Sequence, residues 1–200
     1  MAKFRFHIDE TLPRIRGICR YVPQDLGFAF EPDPYRAVLA RRDHGEISSL
    51  MIRSLELRVT TKPKTLLYAE GYHTYHTWIE ASLPEIMPLL GGVRFEATTR
   101  LDAGMGVTFH DAADWPTTWD PQSGWVCIGQ DDPEPGTAYV EFATNTVAAV
   151  WESELVALWL RPAGLENMSN LIERAQAPRT RRGWWRTWQE RRRQRQPSGG

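Results

Sequence analysis

The chain has 200 residues, 42% hydrophobic and 24% charged, a balance that excludes a disordered polypeptide and fits one folded domain with an appendage. From residue 173 onward nine Arg stand against two Glu, which leaves 15 basic and 23 acidic residues in the rest. The formal net charge of −1 is therefore an acidic body, about −8, cancelled by a basic end, about +7.

Residues 1–9 carry Lys3, Arg5 and Asp9 where a secretory signal needs an unbroken apolar core. The longest apolar run, residues 155–160, is too short to span a bilayer. Two cysteines, Cys19 and Cys127, are too few for an extracellular disulfide framework and read as reduced thiols. These features together predict a soluble, cytoplasmic protein with no transmembrane segment.

Phe4, Phe6 and Ile8 alternate with Arg5, His7 and Asp9, the period-two pattern of a half-buried strand. Pro13, Pro23, Pro32 and Pro34 then punctuate a stretch expected to hold no long regular element, with one or two helical turns over residues 34–42. Leu55, Leu57 and Val59 alternate with Glu56, Arg58 and Thr60, and residues 61–64 connect them to a second strand over residues 65–70. Val93, Phe95 and Ala97 mark a further strand, and residues 107–110 a short one.

Residues 138–143, 146–151 and 155–160 are hydrophobic runs separated by short polar breaks, the signature of an antiparallel meander. The runs 147–151 and 155–160 are apolar on both faces, which predicts central strands covered on both sides. Leu165, Met168, Leu171 and Ile172 recur at helical spacing, so a helix is expected to end near Ala175, before Pro178. The predicted fold is mainly β, or β-dominated α+β: an antiparallel, two-layered sheet with a C-terminal helix. The acidic globular body covers residues 1–177, and a basic, tryptophan-rich tail, partly helical or disordered, covers residues 178–200.

The tail carries the strongest chemical signal. In a helix Trp184 and Trp188 share one face a turn apart, with Trp185 beside them. Arg181, Arg182, Arg186, Arg191, Arg192 and Arg193 flank that face. Guanidinium groups neutralise phosphate and stack on bases, and indoles offer stacking platforms, so the combination suits RNA or single-stranded DNA. The same arrangement suits an anionic membrane surface less well, and a third reading docks the indoles on the body or on a protein partner.

In the body, Asp131, Asp132 and Glu134 form one acidic loop, and Asp111, Asp114 and Asp120 another. The functional reading is a surface for a basic partner, as an inhibitor or immunity-type protein presents, or for the chain's own tail. His73 and His76, with His110 and Asp114 downstream, give the third class, a metal-dependent enzyme. If residues 72–78 are extended, His73 and His76 point to opposite faces; only a loop or a helical turn lets them share an ion.

Other motifs are weaker. Ser123 lacks the flanking glycine pattern of a nucleophile elbow, and Gly104-Met105-Gly106 lacks a phosphate loop's Lys-Ser/Thr. Cys127 sits in an apolar run that favours an inert thiol. Trp115, Trp119 and Trp125 read as satellite core around a tight loop. The sequence implies no cofactor, and it favours a non-enzymatic binding protein.

Overall fold

The computed structural model describes residues 3–33, 46–132, 134–165 and 168–176. The helical turns expected over residues 34–42 and the whole tail lie outside the described residues.

The described chain is strand-rich, with one α-helix. The strands run β1 (Phe4–Asp9), β2 (Gly17–Val22), β3 (Gly27–Pro32), β4 (Ile47–Ile52), β5 (Leu55–Thr60), β6 (Leu66–Tyr72), β7 (Ile79–Glu80) and β8 (Leu89–Leu90). They continue with β9 (Gly92–Ala97), β10 (Gly106–Thr108), β11 (Thr117–Trp119), β12 (Val126–Gly129), β13 (Ala138–Ala143), β14 (Thr146–Trp151) and β15 (Glu154–Leu160), and helix α1 (Met168–Gln176) closes the series.

Two large sheets face each other. A six-stranded sheet has the order β10-β4-β5-β6-β3-β2, and a seven-stranded sheet the order β7-β11-β12-β15-β14-β13-β8. A ribbon of β1 and β9 adds a third, two-stranded piece, tied to the six-stranded sheet where Phe95 donates its N–H to the Lys64 carbonyl. Hairpin pairings are antiparallel. Three short contacts, β10 with β4, β7 with β11 and β8 with β13, are parallel, so both large sheets are mixed at their edges.

The expected alternation is realised. Leu55, Leu57 and Val59 of β5 point into one core with Leu50 and Ile52 of β4, opposite Val126, Ile128, Phe142, Ala148 and Leu158 from the other sheet. Strands β14 and β15 are central, and their alternate residues Val147, Ala149, Ala157 and Trp159 form a second buried cluster on the far face. The two-residue turn between them, Glu152-Ser153, has positive φ at both positions (46° and 68°), the mirror-image turn that matches strand twist. Neither residue is the Gly or Asn that such a turn favours, and the Phe6 N–H holds it by donating to the Ser153 carbonyl at 2.8 Å.

Residues 17–32 depart from expectation. The prolines there do not prevent regular structure, because β2 and β3 form a hairpin between them. Pro23 falls in the connecting turn and Pro32 at the last strand position, where neither interrupts a ladder. Cys19, Tyr21, Phe28 and Phe30 alternate inward with exposed Ile18, Arg20, Ala29 and Glu31. The expected C-terminal helix is present, described over Met168–Gln176, and buried Leu165, whose carbonyl accepts from the Met168 N–H, joins Met168 and Ile172 in the main core.

Candidate functional site

Strands β11 and β12 are antiparallel, so the segments before β11 and after β12 lie at one end of the seven-stranded sheet. This places exposed Asp111 and Asp114 at the same end as Asp131 and Asp132, which the sequence presents as two separate loops. Half-buried Asp131 is fixed there: the Thr118 hydroxyl donates to its Oδ2 at 2.6 Å. Asp132 and Glu134 are exposed, and the Glu134 carbonyl accepts from the Thr137 N–H and hydroxyl in a tight turn. Asp120 does not belong to this surface, a correction to the acidic loop read from the sequence. It is buried and accepts from the Leu83, Gln122 and Ser123 N–H groups and from the Ser123 hydroxyl. Burial opposes its charge, but those donors prevail and hold its carboxyl below the usual range.

The histidines separate by environment. His73 follows β6 and is buried among Phe28 and Trp78, with ring centroids 5.8 and 6.1 Å away. Its Nε2 lies 2.8 Å from the Thr117 hydroxyl, and its carbonyl accepts from the Tyr21 hydroxyl. Burial, helped by the nearby Arg53 charge, pushes its pKa down to about 4, so the ring is neutral at pH 7. His76 is exposed on a 3-10 turn (Tyr75–Thr77) capped by Thr74, and His110 is exposed on another (His110–Ala112). His73, His76, His110 and Asp114 are not assembled as ligands: among the described residues no three His, Cys, Asp or Glu side chains converge on a point that suits a metal ion. Cys19 and Cys127 are both free and buried; burial pushes the Cys19 thiol up to about 12 and raises Cys127 as well, the state of an inert thiol.

A polar network emerges on the outer face of the six-stranded sheet. Register sets Ser49 opposite Arg58 and Glu56 opposite Glu70. The Ser49 hydroxyl donates to Glu56 Oε2 at 2.8 Å, Arg58 Nη1 donates to Ser49 Oγ and Glu56 Oε2 at 3.0 and 2.8 Å, and Arg58 Nε stands 3.5 Å from Glu70 Oε1. The two carboxylates are driven apart: the Ser49 hydroxyl and then Arg58 lower Glu56, whereas burial raises Glu70 against the pull of Arg58. Alternating charges along β5 hint at a polar face, but only the register of three strands assembles the four residues.

The far face of the seven-stranded sheet is apolar and closed by a strap, residues 81–88, that crosses it from β7 on one edge to β8 on the other. Leu83 and Ile86 of the strap pack on Cys127, Val147, Ala149, Ala157 and Trp159, with Trp125, Tyr139 and Trp151 at the margins. The strap is pinned at its start, where the Ala81 N–H donates to the Trp119 carbonyl and the Leu83 N–H to Asp120. Trp119 is buried, Trp115 packs on the main core and Trp125 on the far-face cluster, in keeping with a satellite-core reading.

The proposed polyanion contacts, Arg181, Arg182, Trp184, Trp185, Arg186, Trp188, Arg191, Arg192 and Arg193, lie outside the described residues. No helix among the described residues is long and apolar enough to cross a membrane. A scan against protein-family models and a search of curated proteins found no match to the chain.

Proposed function

We propose that the chain is a non-enzymatic binding protein whose basic, tryptophan-rich tail engages single-stranded nucleic acid. The observation that carries this reading is the tail's composition: residues 178–200 hold eight Arg and three Trp against a single Glu. Each guanidinium is a phosphate partner and each indole a stacking surface, the two elements of sequence-tolerant single-strand binding. The acidic body, about −8, repels phosphate and so confines a polyanion to the tail. Replacing Arg191→Gln, Arg192→Gln and Arg193→Gln together is expected to reduce the slope of log affinity against log salt by about 2, at about 0.7 per lost phosphate contact. An unchanged slope with single-stranded RNA and DNA excludes these arginines as phosphate contacts.

One arrangement favours a second reading, a basic protein partner held at Asp131, Asp132 and Glu134. Asp111 and Asp114 precede β11 at the end of the sheet where Asp131 and Asp132 follow β12, and the Thr118 hydroxyl holds the Asp131 carboxylate in place, both of which support the reading. Asp131→Lys with Asp132→Lys is expected to weaken association with polylysine several-fold at low salt, measured by calorimetry. Equal affinity in the variant removes this surface from the account.

A further inference from the structure

Seven large apolar side chains stand out as exposed in the described chain, and four of them, Ile79, Met87, Leu89 and Leu90, lie on or beside the strap. Met87 is 88% exposed and Leu90 61%. The inward side chains Leu83 and Ile86 seal the sheet, so the outward ones are not needed for that seal. Strand β8 is also the terminal strand of its sheet, a two-residue edge carrying two exposed leucines. Apolar edges of this kind are ordinarily covered or charged. Residues 65–93 contain no Lys or Arg, and Glu80 and Glu85 are both exposed, so the strap's own charges are acidic, while Arg14, at the β8 end, is paired with Glu141, the register partner of Leu90.

We propose that this strap surface receives the chain's own C-terminal segment, residues 177–200, with Trp184, Trp185 and Trp188 seated on Met87, Leu89 and Leu90 and the adjacent arginines facing Glu80 and Glu85. Charge and polarity match on both counts: an apolar band whose own charges are acidic against indoles with basic borders. The point of departure also matches. Helix α1, which precedes that segment, packs against the 3-10 turn Tyr75–Thr77, which leads through Trp78 into β7, so the helix lies beside the start of the strap. From β7 to β8 is six strand spacings, about 29 Å. Twelve extended residues, 177–188, reach about 40 Å, enough to bring Trp188 to the β8 end, and the eight to Trp184 reach about 26 Å, most of the way across. The inference rests on the tail being a basic, aromatic recognition element. It adds a regulation of that element, because indoles seated on the strap are not available to stack on bases.

The test uses the full chain without nucleic acid. Met87→Cys is labelled with benzophenone maleimide, Cys19 and Cys127 being buried. The labelled protein is mixed with an equal amount of its nitrogen-15 counterpart and irradiated, and the adducts are mapped by mass spectrometry. The expected adducts fall between residues 182 and 190 of the same molecule. They are lost when Trp184, Trp185 and Trp188 are all replaced by Ala, and they fall several-fold with Glu80→Lys and Glu85→Lys. Adducts confined to the body, adducts joining two copies, or tail adducts that survive the Trp replacements overturn the proposal. Failure here and failure to bind RNA are distinguishable results, because no nucleic acid is present in the irradiated sample.

Discussion

Trp159→Ala is expected to lower stability by about 3–5 kcal/mol, read as a shift of the urea midpoint. Trp159 sits on a central strand, fully buried, at the middle of the far-face cluster. Cys127 and Val147 flank it in register on the neighbouring strands, and Trp125 and Tyr139 meet its ring edge-on at centroid separations of 6.3 and 6.2 Å. Removing the indole leaves a cavity that Leu83 and Ile86 of the strap can fill only by breaking its pinned path through Asp120. The indole N–H has no hydrogen-bond partner among the described residues, so its polar contribution is a cost rather than a gain. Trp159→Phe, which keeps an aromatic ring and removes that N–H, is accordingly expected to cost about 1.5 kcal/mol or less. Equal losses in the two variants contradict a cluster held by ring packing, and a loss below about 1 kcal/mol for alanine contradicts a sealed far face.

Acidification from pH 7 to pH 4 is expected to remove about 3 kcal/mol of stability through His73 alone. The folded pKa is about 4 against an ordinary 6.5, so between those values the unfolded chain binds the proton and the folded chain does not. Stability is therefore complete above pH 6.5 and is lost progressively as the pH falls toward 4. The cause is position: an imidazole buried between Phe28 and Trp78, its Nε2 engaged by the Thr117 hydroxyl, has no solvent to receive a positive charge. His73→Gln keeps a polar partner for Thr117 and removes the titration. The difference between wild type and variant, measured by urea denaturation at several pH values, isolates His73 from carboxylates such as Glu70, whose pKa burial raises. A difference that does not change between pH 7 and pH 4 rules out the buried neutral histidine.

The sequence was most legible where one physical pattern governs. Period two in β5 and β9 and the double-faced apolar runs of β14 and β15 translate into core positions, because each side chain's direction follows from its neighbour's. The hairpin of β2 and β3 was obscured by prolines read as breakers, although Cys19, Tyr21, Phe28 and Phe30 alternate as regularly as any strand. The strap was not legible, since a segment that crosses a sheet has no period and Leu83 and Ile86 resemble loop residues. Strands of two residues, β7 and β8, and the parallel pairing of β10 with β4 depend on contacts distant in sequence. The same holds for chemistry. The acidic character of residues 131–134 is visible in composition, whereas its placement at the same end of the sheet as Asp111 and Asp114 depends on strand order. The burial of Asp120, and the Ser49, Glu56, Arg58 and Glu70 network, likewise depend on tertiary contacts and register.

The central functional claim, a tail that binds polyanions, is most directly tested by fluorescence anisotropy with labelled single-stranded RNA and DNA over a salt series. The full chain is compared with one ending at Ala177. The account predicts a slope of log affinity against log salt of about −3 to −6 for the full chain, from engagement of most of the eight tail arginines, and loss of binding on truncation. A slope near zero, or equal binding by the truncated chain, contradicts it.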